Sequence, residues 1–136
     1  NRIPIGVATA SNREGVLLAL KRLGMLPLVD CFATCGEVGK SKEHPDIFLY
    51  CAEKLGGKPE ESVVFEDSAY AIRTAKNAGF PVVAVEDGVS IHGEGTAETK
   101  DGIASMANLY LGDYGELIGR LTPVEDVSQG LGNLLG

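Results

Sequence analysis

Polar residues that suit phosphate chemistry occur at three points of this sequence. Thr9 ends a short apolar run, and Glu66 and Asp67 end a second one. Lys40 and Lys42 lie just ahead of a predicted helix. A hydroxyl beside backbone N–H groups at a helix start can hold phosphate oxygens, and an ammonium group neutralises charge that develops on phosphate. Adjacent carboxylates without a basic partner favour a hard cation such as Mg²⁺, which also bridges phosphate.

Each of these residues also has an ordinary structural explanation. Thr9 could be a β-branched strand end, and the two lysines could be solvated loop residues. The carboxylates could simply favour the positive end of the helix that follows them. The functional interpretation rests on finding the hydroxyl, the lysines and the carboxylates together. Each lies at a strand end or in a loop, which is where the side chains of a single phosphate site would have to lie.

The predicted elements explain how these residues would come together. Apolar runs suited to strands buried on both faces span residues 4–9, 29–34, 62–65 and 82–85, with an edge strand at 108–111. Strand–helix–strand units at this spacing imply right-handed crossovers and a parallel sheet. Ligands of open parallel sheets bind beyond the carboxyl ends of the strands, where the polar residues fall.

Local signals set the expected ends of the helices. Residues 11–14, Ser-Asn-Arg-Glu, have the spacing of a capping box, and Gly24 is the expected end of that helix. Pro45 fits the first turn of the next helix, and Ser68 is expected to cap a third that ends at Gly79. The expected apolar faces are Val16, Leu17, Leu20 and Leu23; Ile47, Phe48, Cys51, Ala52 and Leu55; and Ala71, Ile72, Ala75 and Ala78.

The remaining segments are expected to be less regular. Segments 36–43 and 87–100 are predicted as loops, the second polar and mobile, with short helices at 103–107 and 114–121. The fold class is therefore α/β. We expect a parallel-sheet, Rossmann-like core domain over residues 1–122 and a flexible, Gly- and Ser-rich tail over 123–136.

Composition narrows the choice of partners. Nineteen acidic against twelve basic residues give a net charge of −7, and such a surface repels nucleic acid and anionic lipid. No apolar run approaches the roughly 18 residues of a membrane span. We therefore expect a cytoplasmic protein with no nucleic-acid or membrane partner. The three cysteines fit reduced thiols, and a zinc site from Cys31, Cys35 and His44 is the less favoured alternative.

Residues 39–41, Gly-Lys-Ser, imitate a nucleotide-binding loop but do not complete one. That motif requires a glycine at position 34, which is Thr34, and a helix that starts at the lysine. Pro45 places the helix start later, so we do not expect a nucleotide-binding loop.

Three segments together resemble motifs of the haloacid dehalogenase-like hydrolase superfamily, in its β-phosphoglucomutase and sugar-phosphate phosphatase branch. Residues 5–11 (Ile-Gly-Val-Ala-Thr-Ala-Ser) resemble the second motif, 42–48 (Lys-Glu-His-Pro-Asp-Ile-Phe) the third and 64–68 (Val-Phe-Glu-Asp-Ser) the fourth. The resemblance covers roughly residues 3–87. It implies that phosphate is bound by Thr9, Ala10, Ser11 and Lys42, with Thr9 and Lys42 acting in catalysis. It also implies that Glu66 and Asp67 hold Mg²⁺.

The first motif of that family, an Asp-x-Asp at a strand end, is absent from the sequence. By the resemblance, its first aspartate is the nucleophile that forms an aspartyl-phosphate. The chain therefore resembles the carboxyl-terminal part of such an enzyme, without the nucleophile strand and the helical cap. We expect a complementing segment or second chain to fill the place between the strands that end at Thr9 and Asp67, or the strands to collapse into a different pairing.

The resemblance implies a Mg²⁺-dependent phosphatase or phosphomutase acting on a small phosphorylated metabolite such as a sugar phosphate, with this chain alone inactive. A non-catalytic fragment or assembly half is the first alternative. A receiver-like signalling domain is the second, although its acidic pair would come first and its lysine last. The sequence does not identify the substrate.

Overall fold

A computed structural model of the chain describes residues 2–86, 100–113 and 115. These residues form two compact units, one over residues 2–58 and one that begins at Pro59. Residues 87–99 of the predicted loop at 87–100, the tail at 123–136 and all of the predicted helix at 114–121 except residue 115 lie outside the described residues. The loop prediction is wrong for Lys100, which begins a helix.

The first unit is built on two parallel strands with aligned ends. Gly6 pairs with Cys31 at the start of the ladder, and Thr9 pairs with Thr34 at its end. Helices follow each strand, because each chain direction must be reversed before the next parallel strand. The elements of this unit are β1 (Gly6–Thr9), α1 (Arg13–Arg22), a 3₁₀ turn (Leu26–Leu28), β2 (Cys31–Thr34), α2 (Cys35–Val38) and α3 (Asp46–Lys54).

Helix α1 begins one residue later than the capping-box prediction. The N-cap is Asn12, whose side-chain oxygen accepts the backbone N–H of Gly15 at 3.2 Å. Ser11 lies in the preceding turn, where its own N–H donates to Thr9 Oγ1 at 3.0 Å. The prediction of Ser11 as the cap is therefore wrong. The predicted end is confirmed, because Gly24 has the left-handed φ of +68° that favours glycine.

Part of the predicted loop at 36–43 is the short helix α2, which a capping box starts. The Thr34 hydroxyl accepts the N–H of Glu37 at 3.2 Å, and the Glu37 carboxylate accepts the N–H of Thr34 at 3.0 Å. This reciprocal pair satisfies two backbone donors at once. The chain therefore turns directly from the end of β2 into a helix, and the loop prediction is wrong for residues 36–38.

Helix α3 packs against both β1 and β2. Its predicted apolar face is confirmed: Ile47, Phe48, Cys51 and Ala52 are buried. Pro45 is the N-cap, one residue before the first turn that the sequence predicted. Glycine at position 6 lets the end of α3 approach β1 closely, because a Cβ at this position would lie only 3.1 Å from Leu55 Cδ1.

The second unit has three parallel strands in the order β3–β4–β5. Strand β4 is central and buried throughout, and Leu111 on β5 is fully buried beside it. The predicted strands at 82–85 and 108–111 and the short helix before the latter are confirmed within a few residues. The elements are a 3₁₀ turn (Pro59–Glu61), β3 (Val64–Glu66), α4 (Ala69–Asn77), β4 (Val82–Val85), α5 (Lys100–Met106) and β5 (Leu109–Leu111).

Helix α4 buries the face that the sequence predicted, with Ala71, Ile72 and Ala75 fully enclosed. It ends at Gly79, whose φ is +94°. Ser68 is its N-cap by backbone conformation, but its side chain makes no capping hydrogen bond. The Ser68 hydroxyl donates to Asp67 Oδ1 at 3.4 Å instead, so the capping role predicted for this side chain is wrong.

Asn108 ties the start of β4 to the turn before β5. Its side-chain oxygen accepts the backbone N–H of Val82 at 3.0 Å and the ammonium of Lys76 at 2.8 Å. The N–H of Asn108 donates to the carbonyl of Val82 at 2.8 Å. One side chain thus satisfies a donor of a fully buried strand residue.

The parallel α/β class that the sequence predicted is confirmed. Among the described residues, β1 has β2 as its strand neighbour and β3 has β4, so β1 and β3 belong to different sheets. The further strand expected beside them stays a prediction.

Candidate functional site

Thr9 lies at the carboxyl end of β1, as the sequence predicted. Its Oγ1 accepts the N–H of Ser11 at 3.0 Å, and this turn leads directly into Asn12, the N-cap of α1. The hydrogen bond fixes the orientation of the hydroxyl. An oxygen that accepts from Ser11 still carries its own proton, which it can donate to an anion.

A cavity of about 380 Å³ opens beside this turn. It is formed by the segment after β1 and by the end of β2 with the start of α2. The structure therefore places Ala10 and Ser11, both predicted to bind phosphate, in the wall of a common cavity, whereas Thr9 and Lys42 are not part of that wall. The cavity is lined by Ala10, Ser11, Asn12, Arg13, Thr34, Gly36 and Glu37.

Arg13 and Glu37 form an ion pair in the cavity wall that sequence reasoning missed. Arg13 Nη1 lies 2.7 Å from Glu37 Oε1, and the guanidinium lies 4.9 Å from the centroid of the Phe32 ring. The N–H of Thr34 lowers the pKa of Glu37, and the Thr34 hydroxyl and Arg13 act in the same direction. The Thr-x-x-Glu spacing of residues 34–37 is that of a capping box and could have predicted the position of Glu37 from the sequence.

Lys42 is half-buried in the turn before α3. Its Nζ lies 5.8 Å from the centroid of the Phe48 ring, within the range of a cation–π contact. The neighbouring candidate, Lys40, is exposed and follows Gly39 in a left-handed turn. Lys42 is thus the lysine that packing holds in place, and the choice of Lys42 rather than Lys40 as the functional lysine stays a prediction.

The acidic pair lies at the end of β3. Glu66 is buried, and its Oε1 accepts the N–H groups of Asp67 at 3.1 Å and Ser68 at 3.3 Å. Asp67 is half-buried and accepts the Ser68 hydroxyl through Oδ1. The structural explanation, that these carboxylates favour the positive end of the following helix, therefore holds for Glu66, whose carboxylate accepts backbone N–H groups at the start of α4.

The two carboxylates suit a hard cation. Mg²⁺ prefers oxygen donors and commonly takes only one or two protein carboxylates, with water and phosphate in its remaining positions. Glu66 and Asp67 supply that donor set at one strand end. Within residues 2–86, 100–113 and 115, no group of three or more His, Cys, Asp or Glu side chains lies close enough together to hold one metal ion. The zinc site considered from Cys31, Cys35 and His44 is therefore not formed.

Comparison with known proteins gives the family. Residues 1–79 match the haloacid dehalogenase-like hydrolase model. The match covers more than half of the chain, so the chain belongs to the haloacid dehalogenase-like hydrolase family. This confirms the family resemblance on which the sequence predictions drew.

Relatives and solved structures agree with this assignment. The chain is 36% identical over 84 residues to the fructose-1-phosphate phosphatase YqaB of Escherichia coli, an alignment that covers 62% of the chain and 45% of that enzyme. It superposes with a TM-score of 0.68 and 28% identity on a putative β-phosphoglucomutase from Thermotoga maritima, covering 86% of this chain and 51% of the other.

A third similarity is to CbbY from Rhodobacter sphaeroides, in a variant solved in complex with xylulose-(1,5)bisphosphate. The TM-score is 0.69 at 26% identity, and 85% of this chain matches 48% of that one. The chain thus spans about half the length of the proteins it matches. None of the helices in the described ranges is long and apolar enough to cross a membrane.

Proposed function

We propose that the whole protein is a phosphoryl-transfer enzyme, a phosphatase or phosphomutase, that acts on a sugar phosphate or similarly small phosphorylated metabolite. The observation that carries the proposal is the turn at the end of β1. There Thr9 Oγ1 accepts the N–H of Ser11 at the entrance to α1, so a hydroxyl donor is fixed at a parallel-strand end beside a helix start.

Thr9, Ala10, Ser11 and Lys42 would hold the phosphoryl oxygens. Thr9 offers its hydroxyl proton, and Ala10 its backbone N–H. Since the N–H of Ser11 is donated to Thr9, Ser11 offers its hydroxyl. The ammonium of Lys42 supplies a full positive charge, which stabilises the charge that grows on the transferring group.

The cavity beside the turn would take the part of the substrate beyond the phosphoryl group. Its volume of about 380 Å³ lies in the range of small-ligand sites. Its wall combines a guanidinium, a carboxylate and hydroxyl groups from Arg13, Glu37, Thr34 and Ser11. Such groups can bind the hydroxyls of a sugar, and sugar phosphates are named for two of the similar proteins, fructose-1-phosphate for one and bound xylulose-(1,5)bisphosphate for the other.

Glu66 and Asp67 would hold Mg²⁺, which when bound neutralises phosphate charge. Buried Glu66 is oriented by two backbone N–H groups. Such orientation lets a carboxylate meet a cation without first reorganising. Half-buried Asp67 is the more accessible of the two carboxylates.

The nucleophile would come from outside these 136 residues, because they contain no Asp-x-Asp. A further segment of the protein or a second chain would supply that aspartate together with its strand. The cytoplasm is the expected location. Family membership favours this function over a receiver-like signalling domain. The alternative is a non-catalytic assembly half, which is consistent with a chain that matches about half the length of its relatives.

An assay of the purified 136-residue chain with p-nitrophenyl phosphate and Mg²⁺ tests the missing-nucleophile part of the proposal. We expect no hydrolysis above the rate of an Asp67→Asn control. Hydrolysis that the Asp67→Asn substitution abolishes would refute it.

The sequence encoded upstream of Asn1 in the source genome is a second test. An apolar strand that ends in Asp-x-Asp is the expected finding. A stop codon or an unrelated domain there would favour a second chain or the non-catalytic alternative.

A further inference from the structure

Two buried thiols, neither of them assigned to phosphate or metal, meet between β2 and α3. Cys31 on β2 and Cys51 on α3 are each only 7% exposed. Their sulfur atoms lie 3.8 Å apart, and Cys51 Sγ lies 4.0 Å from the carbonyl oxygen of Val7. The two sulfurs are therefore near neighbours in an enclosed space.

Gly6 explains why the strand and the helix come so close at this point. It is the β1 partner of Cys31 in the parallel ladder. A Cβ at Gly6 would lie 3.6 Å from the Cβ of Cys51 and 3.8 Å from the Cβ of Cys31. The side chains of Cys31 on β2 and Cys51 on α3 thus both lie beside Gly6, so a disulfide between them would join the strand to the helix.

We propose that Cys31 and Cys51 are a modification site, a thiol pair that a hydroperoxide converts into a disulfide joining β2 to α3. A disulfide needs the sulfurs at about 2.05 Å, so they must approach by roughly 1.8 Å. Rotation of the two side chains about χ1, with a small adjustment of α3, supplies movement of that size.

The reaction balances with one hydroperoxide. One thiolate attacks the peroxide oxygen, the O–O bond breaks, and a sulfenic acid forms while the other oxygen leaves as water or an alcohol. The second thiol then attacks that sulfur, the S–S bond forms, and the S–O bond breaks to release water. Two thiols lose two hydrogen atoms in total, and the peroxide is reduced.

Spatial contact, rather than sequence distance, selects the partner. Cys35 is only four residues from Cys31, whereas Cys51 is twenty residues away. Cys35 belongs to α2 and is half-buried, and the sulfur contact of Cys31 is with Cys51. Burial raises the pKa of Cys51 to about 12, with Cys31 adding to the effect, so the conversion is slow at neutral pH.

The test treats the folded chain with hydrogen peroxide, which is small and uncharged, then unfolds it in acid and alkylates the remaining thiols with N-ethylmaleimide. We expect Cys31 and Cys51 to lose their alkylation together and to regain it after treatment with dithiothreitol, whereas any oxidation of half-buried Cys35 follows its own time course. Cleavage with trypsin and chymotrypsin should yield a peptide pair that links Cys31 to Cys51.

The Cys35→Ser variant is the matched control, because Cys31–Cys51 is the one intramolecular disulfide it can form. It should lose both thiols at the wild-type rate, while Cys31→Ser and Cys51→Ala should form no intramolecular disulfide. Oxidation of the chain unfolded in guanidinium should shift the product toward Cys31–Cys35, because the shorter loop closes more readily.

Three results would overturn the proposal. They are continued alkylation of Cys31 and Cys51 after peroxide treatment of the folded chain, a main disulfide product that contains Cys35, and a disulfide that links two chains. Because the wild type and the Cys35→Ser variant decide these outcomes, poor folding of a variant at position 31 or 51 does not affect the conclusion.

Discussion

Thr9 and Thr34 stand opposite each other at the ends of the parallel strands β1 and β2, and each uses its hydroxyl to start the segment that follows. Thr9 accepts the N–H of Ser11, and Thr34 accepts the N–H of Glu37. The cavity beside the turn after Thr9 is lined by residues from both segments. The pairing of these two threonines therefore sets the geometry on which the proposed phosphate site depends.

Replacement of Thr9 by valine should weaken phosphate binding while keeping the shape of the side chain. The variant loses the hydroxyl donor and leaves the N–H of Ser11 without its acceptor. A hydrogen bond to a charged group such as phosphate contributes about 1.5–3 kcal/mol, so the affinity for inorganic phosphate should fall roughly tenfold or more. Isothermal titration measures this, and Thr9→Ser, which keeps the hydroxyl, should bind like the wild type.

The Thr34–Glu37 capping box should make stability depend on pH in the acid range. The pKa of Glu37 is lowered from its ordinary 4.5. The stabilisation is therefore fully present above about pH 4.5 and is lost as the pH falls through the lower, folded-state pKa. Glu37→Gln should flatten the melting temperature measured across that window, whereas Glu43→Gln, outside the box, should leave the wild-type slope. Identical slopes for Glu37→Gln and the wild type would contradict the assignment.

Asn108→Ala should destabilise the second unit. The substitution removes the acceptor of the Val82 N–H, a donor on a fully buried residue, and also the partner of Lys76. A buried donor without a partner costs about 1–3 kcal/mol. Urea unfolding should show that loss, and Asn108→Asp, which keeps a side-chain oxygen for both donors, should recover most of it. Equal stability of the alanine and aspartate variants would show that the side-chain oxygen is unimportant.

The cysteines should differ in their reaction with iodoacetamide in the folded protein. Cys51 is 7% exposed, and burial raises its pKa to about 12, so its thiol stays protonated at neutral pH. Half-buried Cys35 should be alkylated first, and Cys51 should react at a comparable rate only after unfolding. Mass spectrometry of samples taken over time measures the order, and early labelling of Cys51 in the folded chain would contradict its burial.

Features that depend on residues close in sequence, such as helix ends at glycine and apolar periodicity, were predictable. Gly24 and Gly79 end their helices in left-handed conformations, and the buried face of α3 follows helical periodicity. The start of α1 was less predictable, because Ser11 and Asn12 are both good caps and the choice depends on the bond from Ser11 to Thr9. Helix α2 was missed because Gly36 and Gly39 suggest a loop, although its capping box was visible in the sequence.

The positions of the candidate residues were predictable only in part. Thr9, Lys42, Glu66 and Asp67 lie at strand ends or before a helix, where the pattern placed them. The ion pair of Arg13 with Glu37 joins residues 24 positions apart, and no local periodicity encodes such a contact. The cavity depends on that long-range packing, so it emerges only when β1 and β2 are aligned.

The choice between Lys42 and Lys40 gives the most direct test of the phosphate site. Isothermal titration of inorganic phosphate should compare the wild type with Lys42→Met and Lys40→Met, since methionine keeps an apolar stem without the charge. A hydrogen bond to a charged group contributes about 1.5–3 kcal/mol, so Lys42→Met should weaken binding by roughly tenfold or more, and Lys40→Met should leave it unchanged. Equal losses in the two variants, or a loss confined to Lys40→Met, would contradict the account.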